Sequence, residues 1–376
     1  MAGGVFYFYN MQNYIYNRLR EHKQRIADAI LQQIDTAYAN KGNPLNSYHG
    51  TVTGKGTVES SFILGDVQVA EGAQVIGCKI DKGVTLIVEE GARVIGGSFH
   101  AYYGSNEHAT YPVTVRIGKN VQVAGLWTGE DATIGENSIL FWVQIHGCRQ
   151  DYEAATKTDG VVIGKDCVIY RSYIRSESPT NDAGLKCKIT LGDGAFMWEG
   201  RLTSAEGSIQ VGNDAVLCSY ANACKIIFKG MAPTMLNQDF SQIPDYIGNV
   251  SMYAGIGCLR NNVVIGDKFY VMANTTLQKA YDKLKEPYIK LGNSVSICDT
   301  DRRERGESTP SIAVHRMEVG DNVTLAFTGD GWYRGNMPYR QISIGRNTTV
   351  RLCPHRGDNT YMGTETRIPA NAVALL

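Results

Sequence analysis

The sequence has no excess of charge of either sign, because 37 Lys and Arg residues balance 37 Asp and Glu residues. Proteins that bind nucleic acid or anionic lipid carry a surplus of positive charge, so we expect neither partner. No stretch approaches 18 consecutive apolar residues, and no membrane span is expected. The first residues lack the basic and apolar regions of a secretory signal, so we expect the protein to be made and matured in cytoplasm.

The nine cysteines include no CxxC pair and no Cys/His cluster at metal-ligand spacing. This argues against a disulfide scaffold and a structural zinc, and we expect no metal. Cys167, Cys218 and Cys298 lie within strand-like patterns, where cysteine acts as a small apolar residue. No phosphate loop or dinucleotide fingerprint is present, so no cofactor is expected.

Residues 10–40 contain neither Pro nor Gly, and their apolar residues recur at steps of four and seven. The stripe consists of Ile15, Leu19, Ile26, Ile30 and Ile34. This spacing predicts an α-helix, which Gly42 and Pro44 should end. The stripe needs a partner, which could be copies of itself, the end of the remaining fold, or another protein. We predict that residues 1–50 are a docking or oligomerisation segment, separate from residues 51–376.

Residues 51–376 contain an internal repeat, aliphatic–x–aliphatic–Gly–x–x–small–x–aliphatic. The aliphatic residue before Gly is Ile117, Ile134, Ile163, Leu191, Val211, Ile265, Leu291, Val319 or Ile344. The last aliphatic position holds Val123, Leu140, Ile169, Met197, Leu217, Val271, Ile297, Leu325 or Val350. Successive motifs lie 17 to 29 residues apart, except for one gap of 54 that we expect to contain a degenerate copy at Ile247-Gly248.

Alternating apolar residues predict strands with one buried face, and Gly with two polar residues predicts a corner. Stacked units would bring each apolar position into one internal column and cover each strand's edge. The high glycine count of 41, against 10 prolines, is typical of turn-rich β structure. The fold predicted for residues 51–376 is an all-β parallel β-helix, a solenoid of about ten or more turns, preceded by the N-terminal α-helix.

The repeated motif resembles the hexapeptide repeat of left-handed β-helices, and residues 60–80 are similar to the solenoid tails of sugar nucleotidyltransferases and acyltransferases. The long insertions between motifs look more like the parallel β-helices of phage tail spikes and adhesins. The resemblance covers only part of each turn and leaves the handedness open.

The outward positions between the inward columns are unexpectedly apolar and aromatic. The candidates on this face are Ile139, Phe141, Tyr170, Phe196, Trp198 and Tyr270. A large apolar surface is normally covered, which predicts a subunit interface, as in a trimer. The alternative is a sugar-binding platform that stacks on Tyr170 and Trp198.

Two insertions, 102–111 and 328–340, combine aromatic residues with Gly and Asn. Their recognition candidates are Tyr102, Tyr103, Tyr111, Trp332, Tyr333 and Tyr339. Aromatic loops on a rigid scaffold suit recognition of a partner or a host-surface glycan. The alternative is that these loops simply pack over the corners.

No catalytic residue is assigned from the sequence. An acyltransferase would need a general base, and His146 is the candidate because it closes a strand. His100 lies beside an insertion and is not favoured. A polysaccharide-cleaving enzyme would need two facing carboxylates, for which Glu199 and Asp299, with Asp301 nearby, are the candidates. The favoured alternative for all of these is a structural role, as ordinary corner or strand residues.

We therefore expect a structural virion protein that forms one subunit of a phage tail fibre, spike or adaptor. The expected assembly is an oligomer, with a trimer as the favoured form. The protein would be assembled in the host cytoplasm, dock to other virion proteins through residues 1–50 and present its loops to a partner or host surface. The first alternative is a hexapeptide-repeat acyltransferase. The second is a polysaccharide depolymerase tail spike. Outside a virion, a cytoplasmic location is expected.

Overall fold

The computed structural model describes a helical segment and most of the repeated region. In the helical segment it describes residues 21, 23–25, 27–32 and 34–36. In the repeated region it describes residues 47–103, 110–129, 131–141, 144–146, 160–169, 173–177, 188–197, 200–205, 208–217, 254–259, 263–268, 270–272, 276–278, 289–299, 311–313, 316–327, 341–352 and 366–375.

The described strands form long parallel sheets, which we name A, B and C. Sheet A has 11 strands: Ser47–Tyr48, Phe62–Ile63, Lys79–Ile80, Ser98–Phe99, Trp127–Thr128, Gln144–His146, Tyr173–Glu177, Gly200–Ala205, Ala254–Leu259, Thr276–Gln278 and Ser311–Ala313. Sheet B has 13 strands: Thr51–Gly54, Asp66–Val69, Val84–Val88, Val113–Ile117, Ala132–Ile134, Gly160–Ile163, Lys188–Leu191, Ser208–Val211, Val263–Ile265, Ile289–Leu291, Arg316–Val319, Gln341–Ile344 and Thr366–Ile368.

Sheet C has two halves of six strands each. The first half contains Thr57–Glu59, Gln74–Ile76, Arg93–Ile95, Gln122–Ala124, Ile139–Phe141 and Val168–Ile169. The second contains Val216–Leu217, Tyr270–Met272, Ser296–Asp299, Thr324–Phe327, Thr349–Leu352 and Val373–Leu375. Phe196 joins the halves, because it forms parallel bridges to both Val168 and Val216.

The chain visits the three sheets in turn. Phe62–Ile63 belongs to sheet A, Asp66–Val69 to sheet B and Gln74–Ile76 to sheet C, and Lys79–Ile80 then returns to sheet A. Each strand thus pairs with its counterpart in the next repeat. One antiparallel hairpin, Tyr102–Tyr103 with Thr110–Tyr111, is inserted after the fourth strand of sheet A.

The apolar columns predicted from the repeat are the observed registers. Ile117 pairs with Ile134, which pairs with Ile163, which pairs with Leu191. Inward residues of all three sheets form one buried apolar cluster, because alternate residues of each strand point to the same side. The confirmed class is therefore an all-β chain of long parallel sheets with little helix.

At the corners, the glycine of the motif is needed for close backbone approach and not for a left-handed conformation. A Cβ on Gly135 would lie 2.6 Å from the backbone of Gly164, so glycine is needed where successive repeats approach closely. The left-handed conformation falls two residues later, for example at Asn137 with φ of 58° and Asp166 with φ of 54°. Asn and Asp tolerate this conformation better than most side chains, which accounts for the polar residues after each glycine.

The expectation of an additional repeat within the 54-residue gap is wrong for sheet B. Ile209 pairs directly with Val263, and Gly212 N donates to Ile265 O at 2.8 Å. The two motifs that flank the gap therefore occupy adjacent strands. Ile247 and Gly248, the predicted degenerate copy, lie outside the described residues.

The helical residues between 21 and 36 are buried on one side at Ala27, Ile30 and Ile34. Ile30 and Ile34 belong to the predicted stripe, whereas Ala27 does not. No helix in the part of the chain that the structure describes is long and apolar enough to cross a membrane.

Candidate functional site

Sheet C has a second apolar surface on the side opposite the interior cluster. Its buried residues outside that cluster are Ile76, Ile95, Ala124, Val168, Phe196 and Val216. The alternation that puts Leu140, Ile169 and Met197 inside requires this set to point outward. This outer set is buried within a single chain, and it includes Phe196 of the six outer-face candidates named from the sequence.

Three hydrogen bonds hold the helix along this face. Lys23 Nζ donates to Asp166 O at 2.8 Å and to Gly194 O at 2.6 Å. Arg93 Nη1 donates to Asp35 Oδ1 at 2.6 Å. Lys23 thus lies at later repeats and Asp35 at an early one.

The dimensions of the helix match this arrangement. Twelve residues separate Lys23 from Asp35, which corresponds to about 18 Å of helix. Four strand spacings separate Arg93 from Phe196 through the intervening registers, which corresponds to about 19 Å. The helix therefore runs along the stacking direction, opposite to the order of the repeats. None of the three partners expected for the stripe included the side of the sheets.

The remaining predicted interface and docking residues are only partly described. Ile139 is half-buried and Phe196 is 1% exposed, both on the outer side of sheet C. Phe141 and Tyr270 lie on strands of this sheet. Five candidates lie outside the described residues: Tyr170, Trp198, Ile15, Leu19 and Ile26.

The recognition candidates in the loops are also only partly described. Tyr102 pairs with Tyr111 and Tyr103 pairs with Thr110 in the antiparallel hairpin, so three recognition candidates lie at its base. Trp332, Tyr333 and Tyr339 lie outside the described residues.

The acid–base candidates named from the sequence do not meet in one described site. His146 pairs in register with Arg175 in sheet A. Asp299 pairs with Phe327 in sheet C. Glu199 and Asp301 lie outside the described residues. Within the described residues, no group of three His, Cys, Asp or Glu side chains is arranged to hold a metal.

Sequence reasoning missed a polar cluster on the outer side of sheet A. The His100 ring joins two side chains: its Nε2 lies 2.9 Å from Ser98 Oγ, and its Nδ1 lies 2.7 Å from Asp81 Oδ2. Lys79 Nζ lies 3.2 Å from the other carboxylate oxygen, Asp81 Oδ1. We call Asp81, His100 and Ser98 the Ser–His–Asp cluster.

The parallel register creates this cluster. Ser98 lies on the strand Ser98–Phe99 and His100 directly follows it, so the continued alternation points both side chains to the same side. Lys79 pairs with Ser98, and Ile80 pairs with Phe99, which brings Asp81 beside His100. The side chains of Asp81 and His100 are 12% and 28% exposed. The spacing of 19 residues between Asp81 and His100 equals the offset between the paired residues Ile80 and Phe99. This equal spacing was visible in the sequence and could have indicated that Asp81 lies beside His100.

The hydrogen-bond partners assign the roles of the ring nitrogens in a neutral imidazole. A carboxylate can only accept hydrogen bonds, so Nδ1 of His100 donates to Asp81. In the neutral imidazole, Nε2 is then an acceptor, and the Ser98 hydroxyl donates to it.

Comparisons with known proteins assign no family. No protein-family model matches the sequence, and no curated protein is significantly similar to it.

Proposed function

We propose that the chain is a parallel β-helix that serves as a stiff structural subunit of an oligomeric phage tail fibre, spike or adaptor. The observation that carries this proposal is the 13-stranded parallel sheet B, whose inward residues belong to one interior cluster. Thirteen strands correspond to a length of about 58 Å at the usual strand spacing. Every repeat is hydrogen-bonded to the next, which makes such a rod resistant to bending.

The helix changes the surface through which subunits would associate. It lies along the outer face of sheet C between the repeats of Arg93 and Gly194, and Ile30 and Ile34 are already buried within the chain. We therefore assign docking to the earlier stripe residues, Ile15 and Leu19. In this proposal they contact other copies, in a trimer, or other virion proteins.

The insertions supply the recognition surface in this proposal. The hairpin that contains Tyr102 and Tyr111 follows the strand that ends at Phe99, and the chain returns to sheet B at Val113. A rigid scaffold that positions such an aromatic hairpin suits contact with a partner or a host-surface glycan.

Light scattering and small-angle X-ray scattering test the proposal on the full chain. The expected result is an elongated trimer with three times the 41.3 kDa chain mass. Leu19→Asp should dissociate the trimer, whereas Gln32→Asp, at an exposed helical position, should not.

A monomeric wild-type chain would contradict the proposal. Consumption of acetyl-CoA would favour the acyltransferase instead. Release of reducing ends from a capsular polysaccharide would favour the depolymerase.

A further inference from the structure

We propose that Ser98, His100 and Asp81 form a catalytic triad that hydrolyses carboxylic esters. This activity goes beyond the structural role proposed above and does not depend on it. The inference starts from the order of contacts, hydroxyl to Nε2 at 2.9 Å and Nδ1 to carboxylate at 2.7 Å. These are the contacts by which a histidine activates a serine nucleophile while an acidic residue orients the ring.

The backbone N–H groups of the three residues are hydrogen-bonded to neighbouring repeats. Ser98 N donates to Leu126 O, Asp81 N donates to Phe99 O and His100 N donates to Thr128 O, each at 2.8 to 2.9 Å. Their Cα positions are thus set by strands on both sides. A backbone fixed by hydrogen bonds between repeats holds the separation of its side chains better than an untethered loop does, which preorganises the contacts for reaction.

The nucleophile is accessible from the outer side of sheet A. Ser98 is half-buried and the His100 side chain is 28% exposed, whereas Asp81 is largely buried. This gradient suits the three roles, because the nucleophile must meet the substrate and the acid needs only to contact the ring. The ester would approach from the outer side of sheet A, where Ser98 and His100 are partly exposed.

Lys79 supplies a positive charge next to Asp81, on the strand that pairs with Ser98. It is the register partner of Ser98, on a strand about 4.8 Å away, and its ammonium contacts Asp81 Oδ1 at 3.2 Å. The backbone N–H of Ser98 donates to Leu126 O within the sheet. We therefore assign stabilisation of the developing oxyanion to the Lys79 ammonium.

The proposed reaction has two acyl-transfer steps. Ser98 Oγ bonds to the ester carbonyl carbon while its proton moves to His100 Nε2. The tetrahedral intermediate then breaks its bond to the alcohol oxygen, and the alcohol leaves with that proton. Water attacks the acyl-serine, gives its proton to His100 and releases the carboxylic acid, while Ser98 recovers its hydrogen from His100.

Two measurements on the full chain test the triad. A fluorophosphonate probe should label wild-type protein, and mass spectrometry of peptides should place the adduct on Ser98. With p-nitrophenyl acetate, Ser98→Ala and His100→Gln should each lower kcat/KM by about 100-fold or more. Lys79→Met should lower kcat by at least about tenfold, with little change in KM.

Ser343→Ala is the matched control, because Ser343 is an exposed serine on a regular strand of sheet B, where it pairs with Glu318 and Arg367. It should keep wild-type labelling and turnover. Wild-type turnover in Ser98→Ala would mean that the imidazole acts alone and would overturn the triad. Absence of an adduct on wild-type Ser98 would overturn it as well, whether or not the variants fold. Oligomer mass, read from the same preparations, reports on the structural proposal separately.

Discussion

Lys23 Nζ donates a hydrogen bond of 2.6 Å to the carbonyl oxygen of Gly194, a residue 171 positions further along the chain. The same ammonium donates to Asp166 O at 2.8 Å, so it connects the corners of two successive repeats. Hydrogen bonds from a charged donor are stronger than neutral ones. The helix is therefore held to the sheets by a polar anchor in addition to its apolar stripe.

Removing the Lys23 charge should weaken this attachment. Lys23→Met keeps an unbranched apolar stem but removes the donors to Asp166 O and Gly194 O, which should destabilise the docked helix by ~1–3 kcal/mol. Amide hydrogen exchange over residues 21–36 measures the effect. Lys165→Met is the matched control, because Lys165 pairs with Glu136 at the exposed surface, where ion pairs contribute ~0–1 kcal/mol. Equal effects of the two variants would contradict the anchor.

The apolar stripe should contribute more than the anchor. Ile34 is fully buried, and Ile34→Ala should lower the stability of the docked helix by ~2–5 kcal/mol through lost apolar contact and a cavity. Limited proteolysis of the helical segment and thermal unfolding measure this loss. Asp28→Ala, at an exposed position of the same helix, should change both little. Unchanged protease resistance in Ile34→Ala would show that the stripe is not needed for docking.

Two glycines allow the effect of close backbone approach to be compared with the effect of a positive φ angle. A Cβ on Gly135 would lie 2.6 Å from backbone atoms of Gly164, so Gly135→Ala should force adjacent repeats apart and destabilise by ~1–3 kcal/mol. Gly96 has a φ of 65°, and a Cβ added there would meet nothing within 4 Å, so Gly96→Asn should stay within ~1 kcal/mol of wild type. Denaturant unfolding of both variants decides the point. The reverse order of stabilities would contradict the close-approach explanation.

The buried cysteines should make stability fall at alkaline pH. Burial raises the pKa of the Cys78 thiol from 9.0 to about 11, and burial also raises the pKa of Cys167 to about 11, although the Lys23 charge opposes this. The folded thiols keep their protons at pH values where the unfolded thiols lose them. The contribution of the buried thiols to the free energy of unfolding is therefore complete below pH 9 and is lost as pH rises to about 11.

Thiol labelling and denaturation measure this contribution. At pH 8 the two folded thiols should react ~100-fold more slowly than unfolded thiols, because a pKa two units higher leaves a hundredth of the thiolate. In Cys78→Ala, the stability difference between pH 8 and pH 10.5 should become smaller than in wild type. Labelling of folded Cys78 at the unfolded rate would refute its burial.

The repeat was readable from the sequence because it is enforced locally. Ile117, Ile134 and Ile163 occupy the same inward column, since a polar residue there would lie in the interior cluster without water. Asn and Asp at the corners adopt positive φ, which narrows the residue types that fit. These requirements act within about ten residues, so they leave a local pattern.

The helix position and the Ser–His–Asp cluster were not readable in this way. Nothing within residues 21–36 specifies that Lys23 meets Gly194 or that Asp35 meets Arg93. Ser98 and His100 form an ordinary alternation, and their chemical meaning depends on Asp81 from the preceding repeat. Each requires the register between strands that are distant in sequence.

By itself, the sequence determined the inward columns, the corners, the helical segment and the apolar residues on the outer side of sheet C. Each of these follows from the period of a strand or helix and from the need to bury apolar side chains. Only the tertiary structure decided what covers that outer side and which polar residues meet on sheet A. The physical reason is that an apolar stripe fits many apolar surfaces, whereas hydrogen-bond partners such as Asp81 and His100 are chosen by interatomic distances that exist only after the strands have paired.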